Sequence, residues 1–264
     1  MEKFFIKNRK GQNISVLLEL SENSRGLAFV MHGLSGFKEQ DHIKIFAGAF
    51  LGKGFSVVRF DTTNTFGESD GNYEDATTTN YYEDLEDVIS WTKSQKWFRK
   101  PFALAGHSLG GICTALYAEN HPEEVSGLAP ISTVVSGELS MQTEANKNVI
   151  EEWKQTGWRT EIGHTGTVKR LKWGHMEDRL KYDLLLKVEK LTMPVLLIVG
   201  DQDESTPVQY QQILYDKLPG KKELHIIEGA PHTFREPHHL QQVCELFDEW
   251  IEKNLLQDLT ETPQ

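Results

Sequence analysis

The sequence predicts an α/β protein with a mostly parallel sheet of eight strands, helices on both faces and an inserted cap. Short apolar runs alternate with segments of helical periodicity over most of the chain. Strands that alternate with helices of this length form parallel sheets covered on both faces. The alternation breaks down between residues 134 and 190, which indicates the cap. With 38% hydrophobic and 25% charged residues, the composition is that of an ordinary folded protein.

The first part of the predicted core covers residues 1–133. The segment "KFFIKNRKGQNISVLLEL" predicts two strands around a glycine-containing turn, and "RGLAFVMHG" predicts a buried third strand that ends at Gly33. Two helix–strand pairs follow, "DHIKIFAGAFLGKG" with "FSVVRFD" and "NYYEDLEDVISWTKSQKWF" with "PFALAG". A helix in "GGICTALYAENHP", ended by Pro122, and a strand in "VSGLAPIST" complete this part.

The second part of the core covers residues 191–256 and repeats the same alternation. A strand in "MPVLLIVG" precedes a helix in "PVQYQQILYDKLPG", and a strand in "KKELHIIEG" precedes a helix in "LQQVCELFDEWIEKN". Residues 257–264 predict a frayed tail.

The predicted cap, residues 134–190, mixes a helix with short polar strands around "IGHTG" and holds three of the six tryptophans. Trp153, Trp158 and Trp173 indicate aromatic surface that either contacts an apolar acyl group or only packs the cap on the core. With His107, they are the candidate substrate-binding residues. The run "KRLKW" carries Lys169, Arg170 and Lys172, which either meet a carboxylate or form a solvated face.

Charge, hydropathy and cysteine spacing argue against several kinds of partner and site. The formal net charge of −11 argues against nucleic acid or an anionic membrane surface as the main partner. No apolar run approaches the eighteen residues of a membrane span, and no signal peptide is predicted. Cys113 and Cys244 have neither disulfide-framework nor zinc-site spacing. We therefore expect a cytoplasmic monomer or homodimer with no cofactor and no metal.

The string "LAGHSLGG" places Ser108 between a predicted strand and a predicted helix. Glycines at positions 106 and 110 leave room for a sharp turn that exposes the serine hydroxyl, as in a nucleophile elbow. The alternative is that Ser108 caps the N-terminus of the helix that begins near Leu109. The choice depends on whether a base and an acid occur where this fold would deliver them.

The base and the acid are expected in loops after the last two strands, because reacting groups gather at the carboxyl ends of parallel strands. His232 follows the last strand, whereas His225 lies inside it, and His238 and His239 open a helix and are expected to be exposed. The chain order Ser, Asp, His is the order of one class of serine hydrolases.

Three acidic residues compete as the partner of His232. Asp201 stands at the strand terminus, where a carboxylate often caps backbone amides, and Asp203 lies further into the loop, where it can reach a neighbouring loop. Glu204 is a third candidate. Spacing leaves this choice open.

An oxyanion hole requires two backbone N–H groups directed at the developing negative charge. The first is expected from Leu109, directly after Ser108 and at a helix N-terminus, where amides are unpaired. The second is expected from Leu34 in "HGLSG" after the third strand. Since Leu109 would act through its amide, its side chain is expected to be replaceable.

Five segments, taken together, resemble the α/β-hydrolase superfamily over nearly the whole chain outside the cap. They are "HGLSG", "FDTTNTFGESDG", "GHSLGG", "GDQDESTP" and "GAPH". Within it, the chain is similar to small-capped serine esterases: cinnamoyl or feruloyl esterases, monoacylglycerol lipases and serine aminopeptidase-like hydrolases. The resemblance implies an α/β-hydrolase fold with Asp203 as the acid, Leu34 and Leu109 as oxyanion donors, and structural roles for Asp61 and Gly67. "ESTP" after Asp203 departs from the two apolar residues that often precede the proline.

The function expected from these residues is hydrolysis of carboxylic esters with small or medium acyl groups through a Ser108–His232–Asp203 triad and an acyl-enzyme. Aromatic acyl groups and monoacylglycerols are candidate substrates by resemblance. A peptidase, a low-turnover small-molecule receptor, and a C–C hydrolase or lyase on the same triad are the alternatives.

Overall fold

The computed structural model describes residues 1–162, 166 and 168–256. Within this part of the chain, one sheet has eight strands in the order β1-β2-β4-β3-β5-β6-β9-β10. The strands are β1 (Glu2–Lys7), β2 (Asn13–Glu19), β3 (Gly26–Met31), β4 (Phe55–Phe60), β5 (Phe102–His107), β6 (Val125–Ile131), β7 (Trp158–Ile162), β8 (Val168–Lys172), β9 (Val195–Gly200) and β10 (Lys222–Ile227). Strand β2 is antiparallel to both neighbours, and the remaining pairs of the sheet are parallel.

Helices cover both faces of the sheet, which confirms the predicted fold class. The described α-helices are α1 (Asp41–Gly52), α2 (Thr78–Lys93), α3 (Leu109–Asn120), α4 (Gly137–Met141), α5 (Glu144–Lys147), α6 (Ile150–Thr156), α7 (Gly174–Arg179), α8 (Val208–Lys217) and α9 (Pro237–Leu255). Along β3, Leu27, Phe29 and Met31 enter the core formed with α2, α3 and α8. Ala28 and Val30 enter the core formed with α1 and α9. Because both faces are buried, the strand is continuously apolar.

The segment between β6 and β9 carries four short helices, α4 to α7, and the antiparallel hairpin β7–β8. The predicted strands around "IGHTG" correspond to this hairpin, although residues 163–165 and 167 lie outside the described part of the chain, as does the predicted tail 257–264. The boundaries proposed for the cap, residues 134 and 190, stay a prediction. No helix in the described residues is long and apolar enough to cross a membrane.

Candidate active site

Ser108 stands on a sharp turn between β5 and α3, with φ 56° and ψ −113°. The turn requires glycine on both sides. A Cβ on Gly106 would lie 2.3 Å from the carbonyl oxygen of Gly110, and a Cβ on Gly110 would lie 2.4 Å from that of His32. The Ser108 side chain makes no N-cap hydrogen bond. The geometry is therefore that of a partly exposed serine on a strained strand-to-helix turn, as in a nucleophile elbow, and not that of a helix cap.

A hydrogen-bonded chain joins Ser108 to a histidine and an acid from two other loops. The Ser108 hydroxyl donates to His232 Nε2 over 2.9 Å, and His232 Nδ1–H donates to Asp203 Oδ2 over 2.8 Å. This tautomer leaves the Nε2 lone pair facing the serine, as a general base requires. The ring is presented by the loop after β10, as the chain order indicates.

The structure distinguishes the three acidic candidates. Asp203 is 4% exposed and also accepts from Ser205 N and from the amide and hydroxyl of Thr206, at 2.7–2.9 Å. Burial alone would raise the pKa of Asp203, but the charge of His232 and the hydrogen bonds from His232 and Thr206 outweigh it and lower this pKa. Asp201 is exposed and accepts from Gly229 N over 2.8 Å, and Glu204 is exposed. Asp203 alone contacts the imidazole among the three.

The expected oxyanion donors lie on adjoining segments. A Cβ on Gly33 would lie only 2.9 Å from Ser108 Cβ, so the absence of a side chain at position 33 allows the loop after β3 to touch the elbow. Leu34, next in that loop, lines the same cavity as Ser108. Leu109 is the first residue of α3, where an amide has no intrahelical acceptor. Its side chain is fully buried in the core, so replacements that keep the fold are limited to apolar side chains of similar volume.

A buried charge pair supports the loop that carries Leu34. Lys38 is 1% exposed, and its Nζ donates to Asp61 Oδ2 and Glu68 Oε2, each over 2.7 Å. Asp61 also accepts from Lys38 N over 2.7 Å. A Cβ on Gly67 would lie 2.2 Å from Asp61 Cγ. These contacts agree with the structural roles that the resemblance implies for Asp61 and Gly67, whereas nothing in the sequence pattern singled out Lys38.

His107 does not contact the cavity, contrary to its selection as a substrate-binding residue. It is 3% exposed, and its Nε2–H donates to the backbone oxygen of His232 over 2.7 Å. Because β5 alternates its side chains, the residue before the nucleophile points away from the cavity. Burial keeps the pKa of His107 well below its usual value, so the ring is neutral. His239, expected to be exposed, is buried at 3%.

A cavity of about 210 Å³ opens on Ser108 and His232. Of the three candidate tryptophans only Trp153 lines it, and its Nε1 donates to Leu171 O over 3.1 Å. Trp158 and Trp173 are not among the described residues that line the cavity. Trp173 packs edge-on against Trp153, and Trp158 lies under the guanidinium of Arg170.

Cap residues that the sequence did not single out complete the cavity wall. They include the polar side chains of Asn146, Arg159, Glu161, His175 and Arg179. No periodicity or motif marks these residues, since three short elements, α5, β7 and α7, bring them to the cavity from separate stretches of the chain.

Residues 22–160, more than half of the chain, match the model of the Hydrolase_4 family, described as "Serine aminopeptidase, S33". The chain belongs to this family. Its α/β-hydrolase fold is also found in solved structures. One is Est1E from Butyrivibrio proteoclasticus with ferulic acid bound, with a TM-score of 0.81, 23% identity and coverage of 96% of this chain and 100% of that one.

A further solved structure shares the fold of this Hydrolase_4 member, and a curated protein is similar to it in sequence, each over most of its length. Mouse alpha/beta hydrolase domain-containing protein 10 has a TM-score of 0.79 and 20% identity, covering 96% of this chain and 99% of that chain. An uncharacterized 31.7 kDa protein from the traX-finO intergenic region of Escherichia coli is 27% identical, over 87% of this chain and 91% of its own length.

The strained turn makes a prediction about stability. Both Ser108→Gly and Ser108→Ala remove the hydroxyl, but only glycine adopts a positive φ without strain. Relief of one to three kcal/mol of strain exceeds the cost of the extra freedom that glycine gives the unfolded chain, so Ser108→Gly is expected to be about 1 kcal/mol more stable than Ser108→Ala. Urea unfolding of the two variants measures the difference. An alanine variant at least as stable as the glycine variant would show that the turn stores no strain.

Proposed function

We propose that this Hydrolase_4 member is a serine hydrolase that cleaves small carboxylic esters. The observation that carries the proposal is the hydrogen-bonded chain from Asp203 through His232 to Ser108, with the serine at the wall of a cavity. A satisfied nucleophile–base–acid chain at a strained elbow is the arrangement used for acyl transfer.

The proposed mechanism has two half-reactions. His232 takes the Ser108 proton as the hydroxyl oxygen attacks the ester carbonyl, and the amides of Leu34 and Leu109 stabilise the oxyanion. The protonated imidazole then gives its proton to the leaving alcohol, and an acyl-enzyme remains. Water, deprotonated by His232, attacks the acyl-enzyme, and collapse of the second intermediate releases the acid and restores Ser108.

The family description raises a peptidase as the second candidate. An aminopeptidase must bind a protonated substrate amine, for which buried carboxylates are the usual partners. Among the described residues that line the cavity, Glu161 is the sole acidic one, and it forms an ion pair with Arg159. This favours esters over peptides with a free amino terminus.

A panel of p-nitrophenyl esters tests the proposal together with an amino-acid p-nitroanilide. A cavity of about 210 Å³ lies below the roughly 300–1,000 Å³ of pockets that enclose larger ligands, so acetyl and butyryl esters are expected to be cleaved faster than the dodecanoyl ester. A p-nitrophenyl cinnamate tests whether the cavity accepts an aromatic acyl group. Faster cleavage of the anilide than of every ester would favour the peptidase.

A fluorophosphonate probe separates an enzyme from a receptor. Labelling of Ser108 without turnover of any ester would favour the small-molecule receptor, because an activated serine alone does not establish catalysis. Turnover of a diketone or cyanohydrin in place of esters would indicate C–C chemistry on the same residues.

A further inference from the structure

Arg179 is held in a fixed orientation at the wall of the cavity. It ends helix α7, is 8% exposed and lines the same cavity as Ser108. Nη1 donates to Ser140 Oγ over 2.8 Å, and Nη2 donates to His175 Nε2 over 2.7 Å. Nε is buried and has no hydrogen-bond partner among the described residues. Two of the five N–H donors of the guanidinium are therefore used, and both serve to orient it.

The two groups that orient Arg179 do not neutralise it. Ser140 offers a hydroxyl, and His175 is neutral because its Nδ1–H donates to Ala76 O over 2.8 Å while Nε2 accepts from Arg179. Burial, followed by the charge of Arg179, holds the pKa of His175 well below its usual value. The adjacent carboxylate of Asp178 accepts instead from Thr79.

Arg179 therefore has no carboxylate partner within the described chain. Burial, with Arg159 nearby, lowers the pKa of Arg179 to about 10, so the guanidinium is still protonated at neutral pH. A buried charge is costly unless an opposite charge and hydrogen bonds compensate for it. A buried cation without a carboxylate partner at the wall of a cavity points to an anion supplied by the ligand.

The charged side chains that line the cavity carry a net positive charge. Arg159, Lys169 and Arg179 face it, whereas Glu161 is the sole acidic group of the described lining and is paired with Arg159. Lys169 donates to Ser35 Oγ over 2.9 Å, beside the candidate oxyanion donor Leu34. The cavity wall thus presents a net positive charge to whatever enters it.

We propose that Arg179 binds a carboxylate of the substrate, so that the substrate class is small esters carrying a free carboxylate, such as monoesters of short dicarboxylic acids. This inference rests on the proposed ester hydrolysis and specifies the group that the cavity selects. The remaining N–H donors and the planar fork of a guanidinium suit a carboxylate. Because Arg179 and Ser108 line the same cavity, one substrate can present its ester to Ser108 and its carboxylate to Arg179.

The test compares matched esters that differ in one charge. The first pair is mono-p-nitrophenyl glutarate and its methyl ester; the second is 4-carboxyphenyl butyrate and its methyl ester, which moves the carboxylate to the alcohol. For at least one pair, the wild-type kcat/KM is expected to be at least about tenfold higher for the free acid than for the methyl ester. This ratio corresponds to the net free energy of one hydrogen bond to a charged group. In Arg179→Gln this ratio is expected to fall to about one.

Lys172→Gln is the matched control because it removes one positive charge from the same cap outside the cavity, where Lys172 pairs with Asp75. Its ratio is expected to equal that of the wild type. A wild-type ratio of one or below for both pairs overturns the inference, as does an Arg179→Gln protein that keeps the wild-type ratio. If Arg179→Gln does not fold, the wild-type ratio decides, together with inhibition by glutarate that dimethyl glutarate does not reproduce.

Calorimetry on Ser108→Ala separates this inference from the proposed function. The variant is expected to bind glutarate, and Ser108→Ala combined with Arg179→Gln is expected not to. Glutarate binding without turnover of any ester would contradict ester hydrolysis and leave the carboxylate site standing. Hydrolysis of neutral esters by the wild type without glutarate binding to Ser108→Ala would leave ester hydrolysis standing and overturn the carboxylate site.

Discussion

Replacing Ser108 by alanine is expected to reduce kcat/KM for p-nitrophenyl butyrate by about ten-thousandfold or more, because no other group can form the acyl-enzyme. The fold should persist, since the hydroxyl makes its hydrogen bond to His232 and takes no part in capping α3. Steady-state kinetics and loss of fluorophosphonate labelling measure the effect. Near-normal turnover by Ser108→Ala would exclude the proposed mechanism.

Ser132→Ala is the matched control for that substitution. Ser132 follows β6, the neighbour of β5, is fully buried and has a positive φ of 43°. Its hydroxyl has no hydrogen-bond partner among the described residues. Its loss is therefore expected to leave kcat/KM within about threefold of the wild type, so that a large effect at position 108 cannot be assigned to loss of a serine hydroxyl from a positive-φ turn after a neighbouring strand.

Replacing Asp203 by asparagine is expected to lower kcat about ten-thousandfold while the protein stays folded. The amide oxygen of the new side chain can still accept from Ser205 N and Thr206 N, which preserves the loop. Its NH2 group would donate to His232 Nδ1, which forces the proton onto Nε2 and removes the acceptor for the Ser108 proton. Steady-state kinetics with p-nitrophenyl butyrate measures the loss.

Asp201→Asn makes the same chemical change two residues away. Asp201 is exposed and accepts from Gly229 N, a bond that an asparagine oxygen can keep. Activity within about threefold of the wild type is expected. A larger loss in Asp201→Asn than in Asp203→Asn would transfer the proposed acid role to Asp201.

Most of the fold could be predicted from the chain because its signals are local. The apolar runs of β3, β5 and β9 have every residue buried, and the glycines at positions 106 and 110 mark a turn at Ser108 where a side chain would strike backbone. The apolar runs and the spacing of the glycines about Ser108 can both be read from adjacent residues, so each could be recognised before the sheet was assembled.

The cavity could not be predicted in the same way. His107 was selected for its position beside Ser108, but strand alternation directs its ring to the His232 backbone. Trp158 and Trp173 were selected for their residue type, and both pack away from the described lining. Arg179 carries no sequence signal, since only tertiary packing shows that a carboxylate is missing beside it.

The sequence by itself determined the eight-stranded α/β architecture, the elbow at Ser108 and the order in which serine, acid and histidine follow one another. These depend on residue periodicity, on glycine and on where strands end. The tertiary structure decided which acid contacts His232 and which cap side chains reach the cavity. Such choices turn on ångström-scale distances between loops far apart in the chain, for which no local pattern of residues exists.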